Sequence, residues 1–279
     1  MMKLPNPFDG DINDDLIEDW LNQFDDSDRP LILRLLEGFR YYSSRKVNHM
    51  VKDLYASVCS CLNTSCRAVW FVPVGYVAKS GSIIAYYFRM QNNLPQDRFL
   101  APDDIGSLDL ASDTAVVFLD DFVGSGNQAR QVWQNVVLPV TGLKLAASFI
   151  YAVLVANKLG LENIQSSTGL LPLAVEVIQD EARPFSDKST VFTDQTEREM
   201  GKEVAKKYGE ILYPNHPLGY NDSQGLLGFF YSTPNNTLPI FWSSEGGWKP
   251  LLAHGESYSN PSFLIAFRVL VSIQGLICR

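Results

Sequence analysis

Four runs of apolar residues, separated by segments with helical patterns, constrain the fold of this chain most. They are "AVWFVPV", "TAVVFLDD", "KLAASFIYAVLVAN" and "LAVEVIQ". Consecutive apolar residues indicate strands that are covered on both faces, and regular alternation with helices indicates right-handed crossovers between parallel strands. We therefore predict an α/β fold over residues 63–180, with a mainly parallel sheet and helices on both of its faces.

The segments on either side of this α/β core have different patterns. Residues 1–62 contain three helical patterns, in "DDLIEDWLNQF", in "SDRPLILRLLEGFRYYS" with Ser27 as its N-cap, and in "SSRKVNHMVKDLYASVCSCL". Residues 181–279 contain one charged helix and then "LGYNDSQGLLGFFYSTPNNTLPIFW", which predicts a strand, a turn and a second strand. We expect an N-terminal helical region (1–62), an α/β core (63–180) and a C-terminal hood or cap (181–279).

Composition and charge argue against several classes of function, although a local groove can still be positive in an acidic protein. The net charge of −8 provides no basic surface for nucleic acid or for an acidic membrane. No apolar run approaches the ~20 residues of a membrane span, and the acidic start "MMKLPNPFDGDINDD" does not match a signal peptide. We expect a cytoplasmic protein without membrane contact or direct nucleic-acid binding.

The cysteines predict neither a disulfide framework nor a metal site. A chain of 279 residues with four cysteines is not a disulfide-rich scaffold, and their spacing lacks the paired ligands of zinc sites. We expect buried, reduced thiols at Cys59, Cys61, Cys66 and Cys278.

The stretch "AVVFLDDFVGSGNQAR", residues 115–130, has the pattern of an anion site. A buried strand ends in Asp120 and Asp121, and a glycine-containing turn then leads into a helix. The first N–H groups of a helix lack internal partners and attract anions, while glycines allow close approach of the backbone. Two carboxylates suit a vicinal diol or a hydrated Mg²⁺. A phosphate beside a diol is a ribose 5-phosphate, so the stretch predicts a site for a phosphorylated sugar.

The segment "VVFLDDFVGSGNQ" resembles the signature of type I phosphoribosyltransferases. In that family the acids bind the ribose hydroxyls of phosphoribosyl pyrophosphate (PRPP), and the loop binds its 5-phosphate. The resemblance implies that Asp120 and Asp121 are catalytic and magnesium-binding residues. It also implies a ligand-binding loop formed by Val123, Gly124, Ser125, Gly126, Asn127 and Gln128. The family loop usually ends in threonine and carries more hydroxyls than this one.

An earlier loop fits the same resemblance. In the family, a loop after an upstream strand binds the pyrophosphate with Mg²⁺, which implies this role for Lys79, Ser80, Gly81 and Ser82 in "VGYVAKSGS". A Walker A motif is excluded, because Lys79 precedes Gly81 instead of following the glycine. A plain helix cap is the alternative for this loop.

The segment "GYND" resembles the hood of some base-salvage enzymes, which place an aromatic residue and an acid beside the base. Tyr220 would stack on a ring, and Asp222 would bind Mg²⁺ or accept a hydrogen bond from a base. A polar turn before a strand is the alternative.

The helical start and the late aromatic segment are similar to the phosphoribosyltransferase-like proteins of bacterial conflict systems, including retron-associated and other anti-phage loci. That resemblance implies a defence effector with PRPP or a nucleotide as ligand, Mg²⁺ as cofactor and other subunits of the system as partners. Three hypotheses stay open: a phosphoribosyltransferase or related N-glycosyl-bond enzyme, a non-catalytic nucleotide sensor, and an assembly subunit.

Overall fold

The computed structural model describes residues 4–62, 66–75, 79–141 and 147–255. The chain divides into two compact units, one from residues 1–44 and 180–279 and the other from residues 45–179. We name them the terminal unit and the core unit. Residues 76–78 of the predicted pyrophosphate loop, the end of the predicted hood and Cys278 lie outside the described residues. The three predicted segments follow the sequence, whereas the two units group residues by proximity in space.

The described helices and strands alternate in the middle of the chain. The helices are α1 (Asp14–Leu21), α2 (Arg29–Glu37), α3 (Ser44–Cys61), α4 (Ser80–Gln91), α5 (Asn127–Val132), α6 (Leu138–Thr141), α7 (Lys158–Ser167) and α8 (Gln195–Leu212). The strands are β1 (Arg40–Tyr42), β2 (Ala68–Pro73), β3 (Thr114–Val123), β4 (Ser148–Asn157), β5 (Leu171–Ile178) and β6 (Leu227–Phe229). A π-helical segment at Trp133–Val137 joins α5 to α6.

The core unit is built on a four-stranded parallel sheet in the order β2–β3–β4–β5. In its register Phe71 lies beside Val117, and Val117 lies beside Ile150. All residues of β3 are buried, as expected for a central strand covered on both faces. The predicted α/β fold class is confirmed.

Helices cover both faces of this sheet. On one face, Phe118 and Tyr151 share a buried cluster with Ala129 of α5 and Ile164 of α7. On the other face, the ring of Phe71 packs against that of Phe88 in α4, which also contacts α3. The two-layer cover explains why the strands are apolar without alternation.

The connection from β2 to β3 passes around the edge of the sheet. After α4, Phe99 forms a parallel bridge with Phe71, outside β2. The following turn then covers the opposite face, where Ile105 joins the cluster of α5 and α7. The chain thus runs from β2 outward to Phe99 over one face of the sheet and returns to β3 over the other face. Both crossovers therefore have the same hand, as parallel sheets require.

The prediction of buried cysteines is wrong for the end of α3. Cys59 and Cys61 are exposed and Cys66 is half-buried. The buried stripe of α3 runs through Val47, Met50, Val51, Leu54 and Val58. Position 59 lies off that helical stripe. Cys61 is the last residue of α3, and its thiol donates to the carbonyl of Val58 at 3.1 Å.

The terminal unit has an aromatic core built from both ends of the chain. The indole N–H of Trp20 donates to the carbonyl of Ile240 at 2.9 Å, and its ring stacks on Phe241 at 5.2 Å. Phe24 packs edge-on against Tyr208 and Trp248. Contacts between aromatic side chains therefore hold the two ends of the chain together in this unit.

Two predictions for the first helices are corrected by the structure. Helix α2 ends at Glu37, and Arg40–Tyr42 forms β1, which pairs in parallel with β6. Ser27 is not the N-cap, because α2 begins at Arg29 and Asp28 occupies that position. The carboxylate of Asp28 instead accepts hydrogen bonds from the side chains of Lys207 and Tyr208.

The late aromatic segment forms one strand where two were predicted. Only Leu227–Phe229 is a strand, and Pro239–Phe241 forms a single helical turn. Pro234 and Pro239 lack the N–H groups that a continuous second strand would need. Over the described ranges, no helix combines the length and apolar character needed to span a membrane.

Candidate functional site

The carboxyl ends of β2 and β3 bring the two predicted loops together. The hydroxyl of Ser80 donates a hydrogen bond to the carboxylate of Asp121 at 2.9 Å. A Cβ atom added at Gly75 would lie 3.9 Å from Nε2 of Gln128, so the residues after β2 also approach the turn after β3. Ligands in parallel α/β sheets bind at this edge.

Helix α4 begins directly at this edge. Lys79 occupies the N-cap position in an extended conformation, and no side chain caps the helix. The side chain of Lys79 is exposed, and its carbonyl accepts from the N–H of Ser82 at 3.0 Å. Among the predicted pyrophosphate residues, Ser80 is the one with a hydrogen bond to the acid pair.

Gly81 has a packing role at the start of α4. A Cβ atom at Gly81 would lie 2.2 Å from the carbonyl oxygen of Val74 and 3.0 Å from that of Leu119. Only glycine lets the first turn of α4 approach the backbone after β2 and the backbone of β3 so closely. The segment is therefore the start of a helix, as the alternative reading stated, and it also stands beside the acids.

Asp120 is the buried member of the acid pair. It is 1% exposed, and it accepts hydrogen bonds from the Tyr151 hydroxyl at 2.7 Å and from the Asp121 N–H at 3.0 Å. Burial, together with the charge of Asp121, raises the pKa of Asp120 well above its ordinary value. Burial also raises the pKa of Tyr151, and the neighbouring Asp120 adds to that shift.

Asp121 has a different partner. It is bonded by Ser80 from α4, whereas Asp120 is bonded by Tyr151 from β4. The two adjacent acids thus connect three elements at the end of the sheet: β3, β4 and α4. Their predicted catalytic and metal-binding roles stay predictions.

The turn after β3 has the conformation that its glycines favour. Val123 is buried at the end of the strand, Gly124 and Ser125 are half-buried, and Gly126 has a φ of +83° before α5 begins. The N–H of Asn127 lies 3.4 Å from the Ser125 hydroxyl, which accepts its hydrogen bond. The side-chain oxygen of Asn127 accepts from Arg130, while Gln128 is exposed.

Helix α7 packs against this turn. A Cβ atom at Gly126 would lie 2.8 Å from the Gly160 carbonyl oxygen, and one at Gly160 would lie 2.4 Å from the Gly124 carbonyl oxygen. The amide of Asn163 donates to the Ser125 carbonyl at 3.0 Å. The glycines of the turn therefore permit close packing on α7 in addition to any approach to a ligand.

The sequence prediction did not include Tyr151, Gly160 or Asn163. Tyr151 had one available signal, since it is a phenol inside an otherwise apolar strand, and a buried phenol needs a hydrogen-bond partner. The sequence contains no signal for Gly160 and Asn163, because their contacts depend on how α7 packs against the turn.

Tyr220 and Asp222 belong to the terminal unit. The ring of Tyr220 lies 4.8 Å from that of His216, and the Tyr220 N–H donates to the Asn235 carbonyl. Asp222 has a φ of +56° and accepts from the Gln224 amide at 3.3 Å. They form a turn before β6, and their predicted contacts with a base stay a prediction.

The described residues suit a magnesium ion only when a ligand supplies further oxygens. Across the described ranges, no group of three His, Cys, Asp or Glu side chains is arranged to hold a metal ion. Mg²⁺ is commonly bound through one or two carboxylates together with substrate phosphates and water. Asp121, at the edge where a phosphorylated ligand would bind, fits the protein's share of such a site.

Two cavities are lined by other residues, one in each unit. One, of about 250 Å³, lies between α2 and residues 182–191 in the terminal unit, and is lined in part by Arg34 and Arg40. The other, of about 300 Å³, is lined by Cys61 and Trp133 and by residues at the start of β4 and β5. None of the predicted site residues lines either cavity.

An acid pair and a glycine turn at the carboxyl edge of a parallel α/β sheet define a phosphoribosyltransferase-like protein. The model of the PRTase-CE family matches residues 17–253, and the chain belongs to this family.

A comparison with curated proteins gave no match. Among solved structures, the chain is similar to the crystal structure of a hypothetical protein from Neisseria gonorrhoeae with bound ppGpp. The two are 15% identical, with a TM-score of 0.32, and the match covers 60% of this chain and 97% of that one. A likeness at this score carries no argument about function.

Proposed function

We propose that the core unit binds PRPP, or a related ribose-5-phosphate nucleotide, together with Mg²⁺. One observation carries this proposal: the hydrogen bond from Ser80 to Asp121 joins the start of α4 to the acid pair. Two segments that type I phosphoribosyltransferases use for the two phosphorylated ends of PRPP are thereby adjacent in this fold. Membership of a phosphoribosyltransferase-like family supports the same ligand class.

Each segment has groups suited to one part of such a ligand. The N–H groups of the turn at residues 124–128 would receive the 5-phosphate, and the acid pair would serve the ribose hydroxyls. Lys79, Ser80 and Ser82 would face the pyrophosphate, and Lys79 is exposed at the N-cap of α4. Bound Mg²⁺ would supply charge neutralisation on the pyrophosphate.

As an enzyme, the chain would transfer the phosphoribosyl group, or act on a related N-glycosyl bond. Displacement at the ribose C1 develops positive charge on the sugar ring, and the carboxylate of Asp121 would balance that charge. The residues need only position the reactants and exclude water, so no protein nucleophile is required.

A sensor that binds a nucleotide without turnover is the second candidate. Asn127 and Gln128 stand where the family usually has hydroxyl residues, and the Asn127 side chain already contacts Arg130. A turn with fewer hydroxyls retains its backbone donors, so binding is less affected than catalysis.

A role as an effector in a bacterial anti-phage system is a further part of the proposal, and it rests on the resemblance to such proteins. It predicts that cells carrying the chain with its neighbouring genes resist phage, and that an Asp121→Asn variant does not. Equal plaque counts for the wild type and an empty control would remove this part while leaving ligand binding intact.

Calorimetric titration with PRPP and MgCl₂ tests the ligand. We expect micromolar binding by the wild type and a loss of about 10- to 100-fold in Asp121→Asn, because a charged hydrogen-bond acceptor is removed. Asp113→Asn is the matched control, since Asp113 precedes the opposite end of the same strand and is partly exposed.

Product analysis then separates the two candidates. Pyrophosphate release in the presence of a free base would establish a transferase, while binding without any turnover would establish a sensor. No binding of PRPP, ribose 5-phosphate or nucleoside monophosphates would contradict the proposal.

A further inference from the structure

The two members of the acid pair are held by different parts of the core unit. Asp120 accepts from the hydroxyl of Tyr151 in β4 at 2.7 Å, and both side chains are 1% exposed. Asp121 accepts from the hydroxyl of Ser80, at the start of α4. One acid is therefore bonded inside the sheet, and the other is bonded to the segment assigned to the pyrophosphate.

The hydrogen bond from Tyr151 to Asp120 gives a partner to two polar groups that would be unfavourable if they were buried without one. A buried carboxyl group without a hydrogen bond is strongly unfavourable, and a buried phenol also needs a partner. Asp120 uses its second oxygen to accept the N–H of Asp121 at 3.0 Å. The carboxyl group of Asp120 is thus fixed on both sides, and it also fixes the backbone of its neighbour.

The surroundings of the two acids are also unequal. Asp120 is 1% exposed, whereas Asp121 is 7% exposed and accepts from Ser80 at the start of α4. Asp121 is also one residue further along β3, toward the edge at which parallel α/β sheets bind ligands.

We propose that Tyr151 is a positioning residue that holds Asp120 inside the sheet, so that Asp121 is the acid that contacts the ribose hydroxyls. This inference rests on the proposed function and assigns its sugar contact to one acid. Asp120 acts indirectly, through its hydrogen bond to the N–H of Asp121. The resemblance alone would give both acids the same role.

The test is a set of titrations with PRPP and MgCl₂ on the full chain. We expect Asp121→Asn to weaken binding at least about tenfold more than Asp120→Asn does. Asparagine at position 120 can keep both contacts, because its oxygen can accept from the Asp121 N–H while its amide donates to the Tyr151 hydroxyl. Asp113→Asn serves as the control for removal of a charge in the same unit.

A double-mutant cycle then tests Tyr151. Tyr151→Phe removes the hydroxyl and leaves the ring, which frees a carboxyl group beside an anionic ligand. We expect binding to weaken several-fold in the wild-type background and by less than about twofold in the Asp120→Asn background. A role of Tyr151 in packing alone would weaken binding equally in both backgrounds.

The outcomes are distinguishable. Equal losses in Asp120→Asn and Asp121→Asn, or equal effects of Tyr151→Phe in both backgrounds, would overturn the inference while the proposed ligand stands. Absence of binding by the wild type would remove the proposed function itself, and the inference with it. If Asp120→Asn loses the circular dichroism spectrum of the wild type, the carboxyl ¹³C shifts of the wild type decide. PRPP should then shift the Asp121 signal more than that of Asp120, and the reverse order would overturn the inference.

Discussion

The core unit and the terminal unit are stabilised in different ways. The core unit is built on a regular parallel sheet, in which the central strands β3 and β4, buried except at the two ends of β4, contribute mostly aliphatic side chains. The terminal unit has one pair of three-residue strands, β1 and β6, and a cluster of large aromatic rings. Regular backbone pairing positions the candidate site, whereas irregular backbone in the terminal unit is fixed by packing. Substitutions in the two units should therefore fail for different physical reasons.

The largest effect on stability is expected from removing the central indole of the terminal unit. Trp20→Ala deletes a side chain that is 1% exposed, together with its hydrogen bond to Ile240. We expect a loss of about 4 kcal/mol in the free energy of unfolding, measured by urea titration. Leu16→Ala is the control in the same helix, because Leu16 is 50% exposed and should cost less than about 1 kcal/mol. Similar losses of unfolding free energy at both positions would show that the buried ring of Trp20 does not stabilise the terminal unit.

In the core unit the largest loss of stability is expected where two backbone segments are in close contact, at Gly81. Gly81→Ala places a Cβ atom 2.2 Å from the carbonyl oxygen of Val74, which cannot move without disturbing the end of β2. We expect about 3 kcal/mol of destabilisation, with faster hydrogen exchange in α4. The control is Gly106→Ala, whose Cβ atom would meet only Val140 at 3.6 Å. An unchanged melting temperature in Gly81→Ala would contradict the tight start of α4.

A matched pair of glycines separates backbone strain from lack of space. Gly126 in the core unit and Gly247 in the terminal unit share a φ of +83°, but only Gly126 faces a close atom, the Gly160 carbonyl oxygen at 2.8 Å. Alanine at position 247 should cost about 1 kcal/mol, from the left-handed backbone alone. Alanine at position 126 should cost about 2 kcal/mol, because a steric term is added. Equal melting temperatures for the two variants would show that the turn does not pack tightly on α7.

The smallest expected effect concerns Asp28 in the terminal unit. Burial tends to raise the pKa of Asp28, but hydrogen bonds from Lys207 and Tyr208 outweigh it and leave the pKa below 3.8. A lowered folded-state pKa contributes stability above the ordinary pKa and loses it as the pH falls through the folded value. Asp28→Asn should therefore cost less than about 1 kcal/mol at pH 7.

That difference between Asp28→Asn and the wild type should disappear as the pH is lowered below about 4. Melting curves between neutral and acidic pH provide the measurement. Asp26→Asn is the control, because the Asp26 side chain is 90% exposed. A difference that grows toward acidic pH would contradict the assigned hydrogen bonds.

The core unit could be predicted from the sequence in its main features. Apolar strands and the helical stripe of α3 depend on local periodicity, and the structure has them at β2, β3, β4 and β5. Both loops directly follow predicted strands, and the carboxyl ends of parallel strands share one edge, so a parallel sheet brings the two loops to the same edge.

The remaining features depend on contacts between distant residues. The pairing of β1 with β6 joins Tyr42 to Phe229, and no local pattern indicates it. The aromatic core around Trp20 unites residues from both ends of the chain. Likewise, the partner of Asp120 is set by the register of β3 against β4, so Tyr151 could not be assigned before the sheet was known.

The proposed function requires the start of α4 and the turn after β3 to form one ligand site. Hydrogen exchange followed by mass spectrometry, with and without PRPP and MgCl₂, tests whether they do. We predict slower exchange in both segments, residues 79–91 and 120–132, and no slowing at the opposite end of β3, near Asp113. Slowing in only one of the two segments, or only in residues elsewhere such as 34–40, would contradict the account.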